Sequence, residues 1–156
     1  MLRFSLPMPV HRMLHLYWRF ARGMTLGVRA LVADGEGRVF LVKHSYVSGW
    51  HLPGGGVETG ETMLEALARE LREEGNIEWT APPLLHAVYF NAQASRRDHV
   101  ALYVVREFRQ PAPPPRSREI IDHGFFAPSA LPPDITAATR ARIEEVLQGL
   151  PATEHW

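Results

Sequence analysis

The 156-residue chain contains no cysteine. This absence excludes disulfide scaffolds, thiolate metal sites, iron–sulfur clusters and cysteine nucleophiles. No apolar run approaches the roughly 18 residues that a membrane-spanning helix requires. Residues 1–20 are interrupted by charged and imidazole side chains and lack a small-residue cleavage site, so no signal peptide is predicted. We therefore expect a cytoplasmic protein with a single domain over residues 1–156.

The chain has no formal net charge, but its charges are segregated. Residues 1–33 carry five arginines and no acidic residue, and residues 95–118 carry six arginines against two acidic residues. Between them, residues 54–78 carry seven glutamates against two arginines. An acidic centre between basic segments is typical of a metal site beside an anionic substrate, although ordinary surface charge is the alternative. The neutral total does not favour a long nucleic acid as partner.

The hydrophobic pattern predicts an α/β fold. Strands are expected at 25–32, 39–43, 84–90, 99–108 and 120–126, and helices at 62–75 and 135–148. The first two strands flank Asp34-Gly35-Glu36-Gly37, which predicts a hairpin. Thr62 and Glu65 form a capping box at the start of a helix. The proline-rich residues 111–115 predict an extended loop.

An amphipathic helix is predicted over residues 8–22, within an N-terminal extension over residues 1–23. Its arginines gather on one face and its apolar residues on another. We expect this helix to pack on its own domain and no membrane to be involved; a membrane surface or a partner protein is the alternative. A homodimer formed through the helix is a further alternative.

Three carboxylates share one stripe of the helix predicted at 62–75. Glu70, Glu73 and Glu74 stand at i,i+3 and i,i+4 spacing, where like charges destabilise a helix unless a cation compensates them. Mg²⁺ and Mn²⁺ prefer oxygen ligands and would supply that cation, whereas a solvated acidic face is the alternative. The glycines at 54–56 allow a ligand to approach the backbone closely. A glycine-rich turn before clustered carboxylates favours a phosphate–metal site.

This segment resembles the Nudix box. Gly55, Glu61 and the run Arg69-Glu70-Leu71-Arg72-Glu73-Glu74-Gly75-Asn76-Ile77 follow its spacing, with Asn76 where the pattern has glycine. Asparagine tolerates the left-handed conformation of a helix cap, so we expect the turn to survive. From this motif at residues 55–77 the chain is identified as a small MutT-like member of the Nudix hydrolase family. The resemblance implies an α/β/α sandwich with a mixed β-sheet, preceded by the N-terminal helix.

The resemblance also implies roles for the motif residues. Glu70, Glu73 and Glu74, together with the Gly55 carbonyl, would hold Mg²⁺ or Mn²⁺, and Glu61 and Arg69 would brace the loop against the helix. Water would attack a phosphorus of a nucleoside diphosphate linked to another moiety, with metal ions neutralising the diphosphate.

The general base is left open among four residues. Family members use either a glutamate of the box or a group from a later loop. Glu73 is the candidate inside the box, and Glu119, Asp122 and His99 are the candidates outside it. Glu119 ranks first outside the box, because it follows the proline-rich loop and functional residues are often displayed on loops.

Substrate recognition is predicted for residues near the glycine loop. We expect Arg29, Gly54 and Gly55 to contact the substrate, and Trp50 to stack on a base. The remaining aromatic and cationic candidates are Tyr46, Phe90, Phe125, Phe126, Arg96 and Arg97. A short chain favours a small nucleotide as substrate. The alternatives are a noncatalytic nucleotide-sensing module, which the intact glutamates oppose, and an RNA 5′-end pyrophosphohydrolase, which salt-dependent RNA binding would favour.

Overall fold

A computed structural model describes residues 8–114 and 117–156. It contains the helices α1 (Met8–Ala21), α2 (Met63–Gly75) and α3 (Ala137–Gln148), and a 3₁₀ turn at Pro128–Ala130. The strands are β1 (Thr25–Val32), β2 (Val39–His44), β3 (Trp50–His51), β4 (Glu78–Trp79), β5 (Leu84–Phe90), β6 (Asp98–Val105), β7 (Phe108–Arg109) and β8 (Ile120–Phe126). Every predicted helix and strand is present, and the strand predicted at 99–108 divides into β6 and β7. Residues 1–7 of the predicted extension and Pro115 of the proline-rich loop lie outside the described residues.

The strands form two three-stranded sheets and one short pair. The first sheet has the order β1-β6-β5, with β1 and β6 parallel and β5 antiparallel to β6. The second has the order β3-β2-β8, and β4 pairs with β7. β1 alternates between two cores, because successive side chains of a strand point to opposite faces. Val28 and Val32 join the core under α2, whereas Leu31 joins the core under α3. The predicted sandwich of helices on both faces of a mixed sheet is thus confirmed.

The hairpin predicted between the first two strands is wrong. The turn itself forms, since the Asp34 carboxylate accepts hydrogen bonds from the backbone N–H groups of Glu36 and Arg38. Beyond one isolated bridge between Ala33 and Val39, however, β1 and β2 separate into different sheets. The outer edge of β1 is occupied by the glycine loop instead: Val28 N–H donates to Gly55 O and Ala30 N–H to Pro53 O.

Helix α2 begins and ends as its sequence predicts. Thr62 is the N-cap. Its side chain accepts a hydrogen bond from the Glu65 N–H, and the Glu65 side chain accepts one from the Thr62 N–H, which together form a capping box. Asn76 forms the C-cap with φ 51°, and its N–H donates to Arg72 O. Asparagine therefore takes the left-handed position that the motif gives to glycine, and the turn survives. The apolar face that buries α2 includes Ala66, Leu67 and Leu71.

From Met13 to its end, helix α1 does not pack on the domain, contrary to expectation. Every residue from Met13 to Arg22 is exposed, and neither core includes any of these residues. The apolar side chains of this part of α1 therefore lie open to solvent in the structure. Among the described residues, no helix combines the length and the apolarity needed to cross a membrane.

Candidate active site

The glycine loop runs along β1 and meets the last turn of α2. Gly54 has φ 139°, and a Cβ at this position would overlap the Val28 carbonyl oxygen, so only glycine fits. Its N–H donates a hydrogen bond to Glu74 Oε2 over 2.8 Å. At Gly55, a Cβ would overlap the Glu70 carboxylate. The two glycines thus allow the loop backbone to approach the carboxylates of α2 closely.

The three glutamates of α2 have different surroundings. Glu74 is buried, Glu70 is partly buried and Glu73 is largely exposed. Burial raises the pKa of Glu74 to about 7; the negative charges of Glu70 and Glu119 add to this, and the Gly54 N–H and the charge of Arg29 oppose it. His44, also buried, lies with Nε2 3.5 Å from Glu74 Oε1. Burial thus favours the protonated form of Glu74, whereas a cation bound to this carboxylate would favour its ionised form.

Arg69 connects α2 to the loop before it. Its Nε and Nη2 atoms bond the two carboxylate oxygens of Glu61, each over 3.0 Å. Nη2 also donates to Gly56 O over 3.1 Å, and Nη1 lies 2.6 Å from Glu70 Oε1. A planar guanidinium can make all of these contacts at once. The geometry is that of a brace between Glu61, the glycine loop and α2, the role expected for Glu61 and Arg69.

A cavity of about 850 Å³ opens beside this junction. At one end it is lined by the glycine loop and by Arg29, Tyr46, Glu70, Glu73, Glu74 and Glu119. Arg29 Nη1 donates to Leu52 O over 3.0 Å and to Gly54 O over 2.6 Å. Arg29 is thus placed both to hold the loop and to present positive charge to the cavity. A volume of this size is ordinary for a small-molecule site.

Only two of the four candidates for the general base line the cavity. Glu119 lines the cavity, and so does Glu73. Asp122 and His99 do not line it. Asp122 lies on β8, where it pairs with Lys43 in the strand register, and the ring of His99 packs 5.4 Å from that of Phe90. The structure therefore leaves Glu73 and Glu119 near the carboxylate cluster.

Trp50 does not lie where a base-stacking residue would have to be. It is buried in the core under α3, with its ring 4.8 Å from that of Phe126, and it does not line the cavity. Strand β3, in which Trp50 lies, pairs with β2 and turns the side chain inward. Tyr46, which is exposed and lines the cavity, is the aromatic residue of this loop that faces the open space.

The far end of the cavity holds residues that the sequence did not suggest. Asp98 accepts hydrogen bonds from Thr25 Oγ1 over 2.6 Å and from Asn91 Nδ2 over 2.8 Å. Trp156 also lines the cavity; its ring packs 5.5 Å from that of Tyr89, against the core under α3, and its backbone N–H donates to Phe90 O over 3.1 Å. Thr25 and Asp98 meet because β1 and β6 are parallel neighbours. No local pattern in the sequence signals that pairing.

The donor atoms at the acidic end fit a hard divalent cation. Carboxylate oxygens and carbonyl oxygens are the ligands that Mg²⁺ and Mn²⁺ prefer. The Gly55 carbonyl already accepts a hydrogen bond from the Val28 N–H, so a cation would take its second lone pair. Within residues 8–114 and 117–156, no three His, Asp or Glu side chains already converge on a point that could hold a metal ion. Glu70 is held by Arg69 and Glu74 by the Gly54 N–H. A cation would therefore bind the other oxygen of each carboxylate or displace these partners.

Comparison of the sequence with models of known families finds a match that covers the candidate site. The sequence model of the NUDIX domain matches residues 23–147, most of the chain. The chain belongs to the NUDIX domain family. This confirms the resemblance drawn from the box at 55–77, and the family generally uses divalent metal ions.

Solved structures resemble this Nudix domain over most of its length. A MutT NUDIX hydrolase from Burkholderia pseudomallei is 28% identical, with a TM-score of 0.66, over 78% of this chain and 97% of that one. An ADP-ribose pyrophosphatase from Streptococcus suis is 25% identical, with a TM-score of 0.57, over 85% of this chain and 95% of that one. The names of these neighbours agree with the prediction of a MutT-like Nudix pyrophosphohydrolase.

Curated relatives match a shorter part of the Nudix domain. The RNA pyrophosphohydrolase of Halorhodospira halophila is 48% identical over 52 residues, which are 33% of this chain and 29% of that protein. That of Hydrogenovibrio crunogenus is 38% identical over 58 residues, 37% of this chain and 35% of that protein. The chain thus spans only about a third of the length of these relatives.

Proposed function

We propose that the chain is a divalent-metal-dependent hydrolase that cleaves the diphosphate linkage of a nucleoside diphosphate joined to another moiety, with a small nucleotide as substrate. The observation that carries the proposal is the junction between the glycine loop and α2. It lines one end of the cavity with Glu70, Glu73, Glu74 and Glu119, next to the Arg29 guanidinium. Four carboxylates and the guanidinium groups of Arg29 and Arg69 suit a metal-bound diphosphate better than a neutral ligand.

The residues around the junction have separate parts in the proposed reaction. Glu70, Glu73, Glu74 and the Gly55 carbonyl would hold Mg²⁺ or Mn²⁺, which when bound neutralises phosphate charge and lowers the pKa of a water. Arg29 orients the phosphates from the wall of the cavity. Glu119 or Glu73 accepts the proton of the attacking water, since both line the cavity.

The opposite end of the cavity would receive the nucleoside. Trp156 offers an aromatic surface there, and stacking on such a ring is tolerant of base identity. Asn91 and Asp98 offer amide and carboxylate groups that can hydrogen-bond a base or a sugar hydroxyl. Thr25 fixes the Asp98 carboxylate through its hydroxyl. We also propose that the chain acts in the cytoplasm; a chain without cysteine forms no disulfide and so agrees with a reducing compartment.

The test is a substrate panel run with Mg²⁺, with Mn²⁺ and with chelator. Nucleoside triphosphates, ADP-ribose, dinucleoside polyphosphates and 5′-triphosphorylated RNA would each be incubated with the protein, and released phosphate, pyrophosphate and nucleotides measured. We expect metal-dependent cleavage of one small-nucleotide class and none with chelator. If no substrate in the panel is cleaved but nucleotides raise the melting temperature, the chain is a nucleotide-sensing module and not a hydrolase.

A second candidate is removal of pyrophosphate from RNA 5′ ends. It is favoured by the matches to RNA pyrophosphohydrolases over 52 and 58 residues. Arg97, which is exposed near the end of α1, would add positive charge beside the cavity. The same panel separates the two candidates: cleavage of triphosphorylated RNA that weakens steeply with salt supports RNA, and cleavage of free nucleotides alone supports the first proposal.

A further inference from the structure

Helix α1 exposes more large apolar side chains than a surface helix of a folded domain usually does. Phe20 is 72% exposed, Met13 69%, Tyr17 60% and Leu16 56%. A surface helix ordinarily buries such a stripe against its own core. Here the stripe faces solvent, and an exposed apolar patch of this kind marks a site of interaction.

The polar side of α1 carries only positive or imidazole groups. At about 100° per residue, His15, Arg19 and Arg22 share one side of the helix and the apolar residues occupy the rest. Trp18 lies at the boundary between the two sides, where the Arg22 guanidinium stacks 3.8 Å from its ring centroid. No acidic residue occurs anywhere in residues 1–33. The surface that covers α1 must therefore accept both apolar side chains and cations.

The width of the apolar face of α1 favours a lipid bilayer over a second copy of the helix as the surface that covers it. From Leu16 through Tyr17 to Trp18 the apolar arc covers roughly 200° of the helix. A helix that pairs with a second copy of itself needs only a narrow seam, and a second α1 brings no negative charge to meet the arginines. An anionic lipid bilayer accepts a wide apolar face in its interfacial region and attracts arginines at its surface. Tryptophan and tyrosine also prefer that region.

We propose that α1 is an interfacial helix that docks the chain on an anionic lipid bilayer. At about 1.5 Å per residue, its 14 residues are about 21 Å long, too short to cross a hydrocarbon core of about 30 Å. The helix therefore lies in the plane of the membrane surface. Met24 and Thr25, which are three and four residues beyond the end of α1, line the cavity, so docking holds the cavity next to the bilayer. The proposal departs from the sequence-based expectation that no membrane is involved.

The experiment measures cosedimentation of the full chain with vesicles of phosphatidylcholine, with and without about one third phosphatidylglycerol. We expect binding to the anionic vesicles that weakens as salt is added, and little binding to the neutral ones. Arg19→Glu with Arg22→Glu should lower binding at least about tenfold, since each arginine at an anionic surface contributes about fivefold. Leu16→Glu with Phe20→Glu should do the same through the apolar face.

The matched control is Arg140→Glu, which reverses an exposed charge on α3 and should leave vesicle binding unchanged. Failure of the unaltered chain to bind anionic vesicles, or equal binding to neutral ones, would overturn the proposal. So would a dimer in light scattering that Leu16→Glu with Phe20→Glu converts to a monomer, because the occupant would then be a second copy. Nucleotide hydrolysis without lipid is measured on every variant, so loss of docking is distinguished from loss of the proposed activity.

Discussion

The backbone N–H of Gly54 donates a hydrogen bond to Glu74 Oε2 over 2.8 Å, across 20 positions of the chain. Through this bond the loop that lines β1 and the helix that carries the carboxylates become one unit. Arg29, which lies on β1, also holds Gly54 in place by donating a hydrogen bond to its carbonyl oxygen. The position of the acidic cluster thus depends on a glycine that itself carries no functional side chain.

Gly54→Ala should destabilise the chain by at least about 2 kcal/mol, because φ 139° is strained for alanine and the new methyl group overlaps the Val28 carbonyl. Gly56→Ala is the matched control, since a Cβ there meets no atom within 4 Å. Urea unfolding of the two variants measures the difference. Equal stabilities would mean that the loop does not lie against β1 as described.

Glu73→Gln should lower turnover by on the order of 100-fold or more and leave the unfolding transition unchanged. The side chain is 62% exposed, so little packing is lost, whereas a metal ligand contributes several kcal/mol to the transition state. Steady-state kinetics with Mg²⁺ and thermal unfolding measure the two effects. Glu58→Gln, an exposed change in the preceding loop, should retain activity. Full activity of Glu73→Gln would remove Glu73 from the ligand set.

Glu145→Gln should destabilise the fold by about 3 kcal/mol at neutral pH, because Arg142 then loses its buried counter-charge. Burial acts to raise the pKa of Glu145, but hydrogen bonds from Tyr89, His86 and the Thr153 N–H, and the charge of Arg142, bring it below its ordinary value of 4.5. The contribution of Glu145 is therefore fully present above pH 4.5 and is lost as the pH falls through its lower folded-state pKa.

The difference in unfolding free energy between the unaltered chain and Glu145→Gln should accordingly be constant at neutral pH and shrink on acidification. Urea unfolding at a series of pH values measures it. Glu144→Gln, the exposed neighbour, should show neither the loss nor the pH dependence. A difference that grows on acidification would contradict the assigned direction of the pKa.

Trp156→Ala should raise KM for a nucleotide substrate about five- to 100-fold with little change in kcat, because stacking of a base on an aromatic ring contributes about 1–3 kcal/mol. Trp156 lines the cavity and is only partly buried, and its ring packs 5.5 Å from that of Tyr89. Tyr17→Ala, an exposed aromatic change on α1, is the control in lipid-free solution. A lower kcat at unchanged KM would place Trp156 in the chemical step instead of in recognition.

Local signals in the sequence predicted the local structure of the site. The capping box at Thr62, the left-handed cap at Asn76 and the shared stripe of Glu70 and Glu74 depend on residues within a few positions of one another. Trp50 was misplaced because an aromatic residue beside a glycine loop can point either way, and only the pairing of β3 with β2 decides. The sequence pattern likewise showed that α1 is amphipathic but not what covers it.

Long-range contacts account for what the sequence could not supply. The hairpin expectation failed because the edge of β1 is taken by residues 53–57, whose conformation depends on close approach and not on a strand pattern. The buried Glu145 and Arg142 were missed because charged residues on a helix ordinarily face solvent. Their partners Tyr89 and Thr153 lie on other elements.

The parallel pairing of β1 with β6 has a consequence for synthesis of the chain. Thr25 and Asp98 are 73 residues apart, so β1 leaves the ribosome long before the strand that completes its ladder. Closing so long a loop is entropically unfavourable until the contacts it allows are made. A nascent chain stalled before β6 should therefore present β1 and the glycine loop as an open edge, accessible to chaperones, and the cavity should take shape only in the last third of translation.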